Sequence, residues 1–429
     1  MRCLLLLITI YVCVANSQQL PRRLTIREAA EMAVQMNPAV QVAHLRALEA
    51  KADASSAASA YKPQLNAYIY DAVQTNNLRA IGIAVPGFTD RLGPYRVFNA
   101  RSVLTQTVFD SSLRARIRAA RERVELADPD AASIREETIA AVLELYLRML
   151  QAASRVRAAE ATAALDGELV DQATKLEVSG EGNKLQLAIA EQQRSSGRMK
   201  VIGAQQEVRT LKALLLETIG LSADEEIELE PDADLAIPDK EADAAEAFTR
   251  RSEFRALQAK ILAARSEELS ERRERLPKIH VSADYGMLGA GPDRGFSTFN
   301  VSGGVTVPLW TGGRQESRTE SAILRTRQLE VGLARLKLAV IREVSSAHIE
   351  MDACLRTAEE TKSGLAAATT AFQLTRARLG AGLVTSVDVA TASAHMTELN
   401  EMNIRSRFNC LLAEVHLARS NGTILSYLQ

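Results

Sequence analysis

The chain has 429 residues, 24% of them charged and 47% hydrophobic, the balance of a folded protein rather than a disordered one. Its formal net charge of -1 leaves no basic excess to hold a phosphate backbone, which argues against nucleic acid as a partner. The length suits two or three ordinary domains or one elongated body.

The first element is "MRCLLLLITIYVCVANSQQ", with Arg2, a short apolar core from Leu4 to Val14, and small Ala15 and Ser17 ahead of a cut after Ser17. This is the pattern of a secretory signal peptide, residues 1–17, whose apolar core is too short to span a bilayer comfortably. Val12 before Cys13 disfavours a lipoprotein. Removal of Arg2 leaves 51 basic against 53 acidic residues, a charge of -2. No second long apolar run follows, so an exported chain of this kind is either soluble or inserted as a β-barrel.

Residues 37–72, "NPAVQVAHLRALEAKADASSAASAYKPQLNAYIYDA", predict an Ala-rich helix that Pro63 stops, then an alternating strand. Proline disfavours helical geometry in the residue before it and lacks the N–H that a continuing helix would use. A Gly/Pro loop (76–94) leads to a second strand, which turns into a helix at Phe109-Asp110-Ser111-Ser112. Those polar residues are able to cap the helix. The helix carries apolar residues at 3–4 spacing (Val142, Leu145, Met149, Ala152, Val156, Ala159, Ala163, Val170, Ala173), a coiled-coil seam. Pro129 predicts a kink or restart within it. A break at Gly180 and Gly182 precedes another helix, and an acidic, proline-bearing connector occupies 220–240.

The second half repeats the first. Residues 251–286 align with 37–72 at an offset of 214, which places Pro277 on Pro63. "VPLWTGGRQESR" (307–318) sets Trp310, Gly312 and Gly313 where Phe109 to Ser112 stand, and Arg318 to Leu379 would run about 90 Å if continuous at ~1.5 Å per residue. The break at Gly380 and Gly382 corresponds to the first at an offset of 202. The organisation is therefore a tandem duplication: a repeat over 18–219, the connector 220–240, and a repeat over 241–429. Each reads helix, strand, loop, strand, long helix, tight break, long helix.

The four strands are expected to be roughly ten residues long, as a tilted membrane strand requires. Of 18 aromatic residues, 11 fall in segments 61–110 and 278–310, the enrichment expected of aromatic belts. Four strands cannot close a barrel alone, so several copies of the chain would have to share one.

"NPAV", the stops "YKPQL" and "RLPKI", the corners "FDSS" and "WTGG", "LELYLRMLQA" around Tyr146, and "GAGLVTSVDVATA" occur in an order that resembles the TolC-like outer-membrane efflux proteins. The resemblance spans about Leu24 to Leu417. It implies a mainly α fold with membrane strands: a homotrimer in which each chain gives four strands to a twelve-stranded β-barrel in outer-membrane lipid. Long antiparallel helical hairpins would form an α-barrel in the periplasm. It implies an exit duct for a tripartite efflux or type I secretion system, working with a periplasmic adaptor and an inner-membrane pump. The glycine breaks at Gly180, Gly182, Gly380 and Gly382 would be the docking tips. Asp388 matches an aperture carboxylate, while Thr391 stands at a position often acidic in relatives and Gln186 occupies the first-copy equivalent, so the ring would hold one carboxylate per chain. The residues also read Asp388 as a helix-start residue.

Cys354 and Cys410 lie 28 residues either side of Gly382, which on an antiparallel hairpin sets them at similar height and leaves a disulfide open. Five scattered histidines form no metal-ligand spacing, and no nucleophile elbow, phosphate loop or dinucleotide fingerprint occurs. No enzyme, metal or cofactor is expected. The rival that the residues leave open is an exported soluble coiled-coil scaffold or an adaptor.

Overall fold

A computed structural model describes residues 22–82, 87, 89–180, 182–230, 244–381 and 383–428. The expected signal peptide, the later part of the connector and Gly382 lie outside the described residues. Two compact units arise, one from Met1–Val40, Arg135–Ala242 and Val344–Gln429, the other from Gln41–Ile134 and Asp243–Glu343. They do not coincide with the two sequence halves, because each unit draws on both.

In the second unit, helices α2 (Pro38–Ser59) and α6 (Ser252–Arg273) have 22 residues each and end four residues before Pro63 and Pro277. Strands β2 (Gln64–Asn77) and β5 (Lys278–Gly289) open on the residue after each proline. The missing N–H and restricted backbone make that switch. With β3 (Arg91–Phe109) and β6 (Gly295–Thr306) they form one antiparallel sheet in the order β2-β3-β5-β6. The strands hold 14, 19, 12 and 12 residues, longer than the expected ten. Ladder pairing satisfies backbone groups wherever two strands stay adjacent, so it continues beyond the length a bilayer requires.

Helices α3 (Ser111–Ser179) and α7 (Arg314–Gly380) begin in this unit. α3 pairs with α6 through Arg116–Glu274, Arg123–Glu267 and Asp130–Lys260, one rung per seven residues with the numbers running in opposite senses. That is an antiparallel seam with heptad spacing. The restart expected at Pro129 does not occur, since α3 carries Pro129 in its interior. A proline removes one N–H from the ladder, and the turn holding it is tied to α6 by Asp130 and Lys260 at 3.0 Å.

In the first unit, α3 from residue 135 pairs with α4 (Lys184–Ile219), and α7 from residue 344 pairs with α8 (Ser386–Asn421). Both pairs are antiparallel: Arg155 meets Glu207 and Glu160 meets Gln205, while Glu350 meets His416 and Gly364 faces Leu399. Helices α4 and α8 hold 36 residues each, and both end on a left-handed glycine, Gly220 and Gly422. Such glycines close a helix because they lack the Cβ that disfavours this geometry.

The connector is not all linker. Its strand β4 (Ile227–Leu229) pairs in parallel with β1 (Arg22–Leu24), which precedes α1 (Ile26–Met36). Leu24, Val142, Tyr146, Leu215 and Ile227 share one buried cluster, to which α1 gives Ala29 and Ala33. Ala30 of α1 packs in a second cluster with Ile139, Leu143, Leu147 and Val415. Alanine at 29, 30 and 33 lets this short helix lie close to both.

Candidate functional site

Cross-strand partners share a face of the sheet. One face holds Leu65 opposite Leu104, Ile69 opposite Ala100, Tyr285 opposite Phe299, Ala283 opposite Val301 and Ile279 opposite Val305. It is apolar yet open, with Ile69 76%, Phe299 79% and Val301 68% exposed. The other face holds Gln64 opposite Thr105, Ser282 opposite Ser302 and Asp284 opposite Asn300. There Arg101 forms an ion pair with Asp284 and donates to the Thr298 hydroxyl at 3.3 Å. Among the described residues the apolar face carries one ion pair, Asp71 with Arg96 at 2.6 and 2.9 Å, toward the loop end of β2 and β3.

Strands β2 and β6 each have one neighbour, so each leaves one edge unpaired among the described residues. Exposed apolar residues accompany them. Helix α2 presents Val42, Leu45 and Leu48, and α7 presents Leu324, Val331 and Leu338, the latter one per seven residues.

The two strand-to-helix corners use different chemistry. At the first, Asp110 accepts from the Leu113 N–H at 3.0 Å and the Ser112 hydroxyl at 2.7 Å, a side-chain N-cap. The Tyr61 hydroxyl donates to the Asp110 carbonyl at 2.5 Å, and Arg114 lies 5.1 Å from the Phe109 ring centroid. At the second, Gly312 and Gly313 adopt φ of +65° and +80°, values that a Cβ strains. Trp310 beside them is 88% exposed.

At the ends of the hairpins, Gly180 has φ +80° and the Gly182 N–H donates to the Leu176 carbonyl at 2.7 Å. Gly380 is the last residue of α7, and the Leu383 N–H donates to the Arg378 carbonyl at 3.0 Å. Each following helix starts on a capping box, Asn183 with Gln186 and Thr385 with Asp388. Asp388 is exposed, and its carboxylate accepts from the Thr385 hydroxyl at 2.7 Å and the Thr385 N–H at 2.8 Å. Those bonds hold its carboxyl below the usual range. Thr391 donates its hydroxyl back to the Val387 carbonyl at 2.9 Å. Just behind the tips, Leu169, Leu176, Ile189, Leu379 and Val389 line a small shared cavity.

Cys354 and Cys410 are joined as a disulfide between α7 and α8, with Cα atoms 5.3 Å apart. Two buried groups have roles that the sequence does not disclose. Tyr146 places its hydroxyl 2.9 Å from the Leu24 carbonyl and 3.0 Å from that of Glu230, tying the connector and the amino-terminal strand to α3. Burial pushes its pKa up to about 12. Asp166, on α3, is 1% exposed, and neither carboxylate oxygen has a hydrogen-bond partner. Its signal was present in the seam, which skips from Ala163 to Val170: the missing inward position is 166.

A family model described as outer membrane efflux protein matches residues 29–221 and again 244–423. Outer membrane efflux protein BepC of Brucella suis biovar 1 is 25% identical over 296 residues, covering 67% of this chain and 62% of that protein. Outer membrane protein TolC of Vibrio cholerae serotype O1 is 23% identical over 129 residues, 30% of each. The chain thus spans less than two thirds of either relative's length. The Campylobacter jejuni CmeC outer membrane channel shares the fold, with a TM-score of 0.84 over 93% of this chain and 85% of that one at 13% identity. With most of its length matched by the family model, the chain belongs to the outer membrane efflux protein family and is TolC-like.

Proposed function

We propose that three copies of this chain form an exit duct in the bacterial outer membrane, a passive conduit between periplasm and exterior. The observation that carries this reading is the sheet: two exposed faces of opposite chemistry and two unpaired edges. An open edge in lipid is untenable, so β6 of one copy would pair with β2 of the next until twelve strands close. The apolar face would meet lipid, and the face bearing Arg101 and Asp284 would line water. The stripes on α2 and α7 would meet in the same way below the barrel.

Tandem duplication accounts for this economy. Paired helices begin 214 and 202 residues apart and match in length, so one ancestral half supplies two strands and one hairpin. The hairpin ends near Gly180, Gly182, Gly380 and Gly382 would receive a periplasmic adaptor joined to an inner-membrane pump. Asp388 would place one carboxylate per chain at the aperture, beside Thr391. Transport energy and choice of cargo would come from the pump, in a tripartite efflux or type I secretion system.

Neighbouring residues on opposite faces provide the test. Val301→Arg on the apolar face is expected to cost about 2–4 kcal/mol near mid-bilayer, seen as loss of detergent-extracted trimer and of bilayer conductance. Asn300→Arg on the polar face should retain both. Equal effects of the two, or a wild-type protein that stays monomeric and soluble without detergent, would overturn the reading.

A further inference from the structure

Asp166 lies in the first hairpin, fourteen residues before Gly180, which is about 21 Å along a helix. It is 1% exposed and both of its oxygens lack a partner. The neighbour on α4 is Gly197, where an added Cβ would come within 2.6 Å of Asp166 Oδ2. The carboxyl therefore fills the hole left by a glycine, a knob of the right size with the wrong polarity.

The second hairpin shows that the fold does not require a carboxyl there. Gly197 corresponds to Leu399 at the offset of 202, and Leu399 packs against Gly364, where an added Cβ would meet Leu399 Cδ2 at 3.3 Å. Asp166 itself corresponds to Ala368. One hairpin thus builds its knob and hole from leucine and glycine, the other from aspartate and glycine.

An ionised carboxylate without partners is disfavoured in such a place, and burial accordingly raises the Asp166 pKa. The charge that reaches it from α4 is Lys200, which acts in the opposite direction but does not cancel the burial. On α3, Glu168 is engaged with Arg376 of α7 at 2.8 Å.

We infer that Asp166 is a proton-controlled latch between α3 and α4: neutral, it seals the first hairpin, and ionised, it loosens it. A raised folded-state pKa contributes stability that is fully present below the unfolded value and is lost as pH rises through the folded one. The first hairpin would be tightest in acid and slacken toward neutrality, while the second stays indifferent. In the proposed duct, on which this last step rests, acid outside the cell would hold the first hairpin shut and disfavour opening.

Hydrogen exchange on the full chain in detergent provides the test, with amides 155–210 compared with 357–412 across pH 5 to 8. After correction for intrinsic rates, wild-type exchange in the first hairpin should rise with pH, up to about tenfold per unit of pKa displacement. Asp166→Asn, nearly the same size and never charged, should flatten that rise. Infrared spectroscopy of the wild-type chain should show a protonated carboxyl band that persists to higher pH than those of exposed carboxylates and that Asp166→Asn removes, a readout that needs no change in opening. A wild-type slope equal to that of the variant, or no such band, would overturn the latch. Failure of the protein to conduct would overturn the duct and leave the exchange result standing.

Discussion

The two hairpins of the first unit start from nearly the same backbone and are secured by different means. Both carry a 36-residue returning helix that opens on a capping box and closes on a left-handed glycine. At the height where α7 and α8 are joined by Cys354 and Cys410, the first hairpin has Ala152 and Val208. Where the first hairpin buries Asp166 against Gly197, the second packs a half-buried leucine, Leu399, against Gly364. The backbone geometry thus tolerates covalent, apolar or ionisable fastening at corresponding levels. One hairpin has a permanent bond, the other a conditional one.

Removing the permanent bond breaks the comparison most sharply. Cys354→Ala with Cys410→Val gives the second hairpin the residues of the first. The bridge closes a separation of 56 residues, and its loss should cost about 2–4 kcal/mol. The loss should appear as lower protection of α7 and α8 with α3 and α4 unchanged, and reductant should reproduce it in wild type alone. Free thiols in the untreated protein would remove the contrast altogether.

Tyr146 sharpens the comparison from the other side, since its equivalent at the offset of 202 is His348, and only the first hairpin is tied to the paired strands β1 and β4 through this hydroxyl. Tyr146→Phe should cost about 1–3 kcal/mol by taking the one phenolic proton away from the buried Leu24 carbonyl and its part-buried neighbour at Glu230, read as increased exchange of residues 22–24 and 227–230. With its pKa pushed up to about 12, the protonated phenol contributes stability that is complete below the ordinary tyrosine value near 10 and is lost as pH climbs through about 12. The phenylalanine variant should lack that alkaline component.

Local chemistry made much of this legible from sequence. Pro63 and Pro277 mark the helix stops because proline acts on its own backbone, and Gly312 and Gly313 read as a corner because few residues accept their φ values. The match at offsets 214 and 202 exposed the repeated element order. The pairing of β1 with β4 was hidden, because two three-residue strands about 200 positions apart carry no periodicity and are held by tertiary contacts such as Tyr146. Asp166 was hidden differently: a single polar residue in an alanine-rich seam reads as a gap in the stripe, and only the three-dimensional fit against Gly197 reveals it as a filled position. Of the kink or restart expected at Pro129, the restart is absent because a propensity acts locally while a long packed helix is held along its length.

The smallest effect is expected at Asp388, where a structural role and a proposed functional one share a carboxylate. Its hydrogen bonds with Thr385 are those of a capping box, and Asn183 with Gln186 makes the same box in the first hairpin without any charge. Asp388→Gln therefore converts one tip into the chemistry of the other: the cap persists and the charge is gone. Thermal stability at pH 7 should barely move. Below pH 5 the wild type should weaken relative to the variant, because a carboxyl with a lowered pKa contributes stability above its unfolded value and loses it as pH falls through the folded one. Cation preference in planar bilayers should fall in the variant while total conductance holds. If selectivity is instead unchanged, Asp388 is only a cap, and the two tips differ in charge without differing in function.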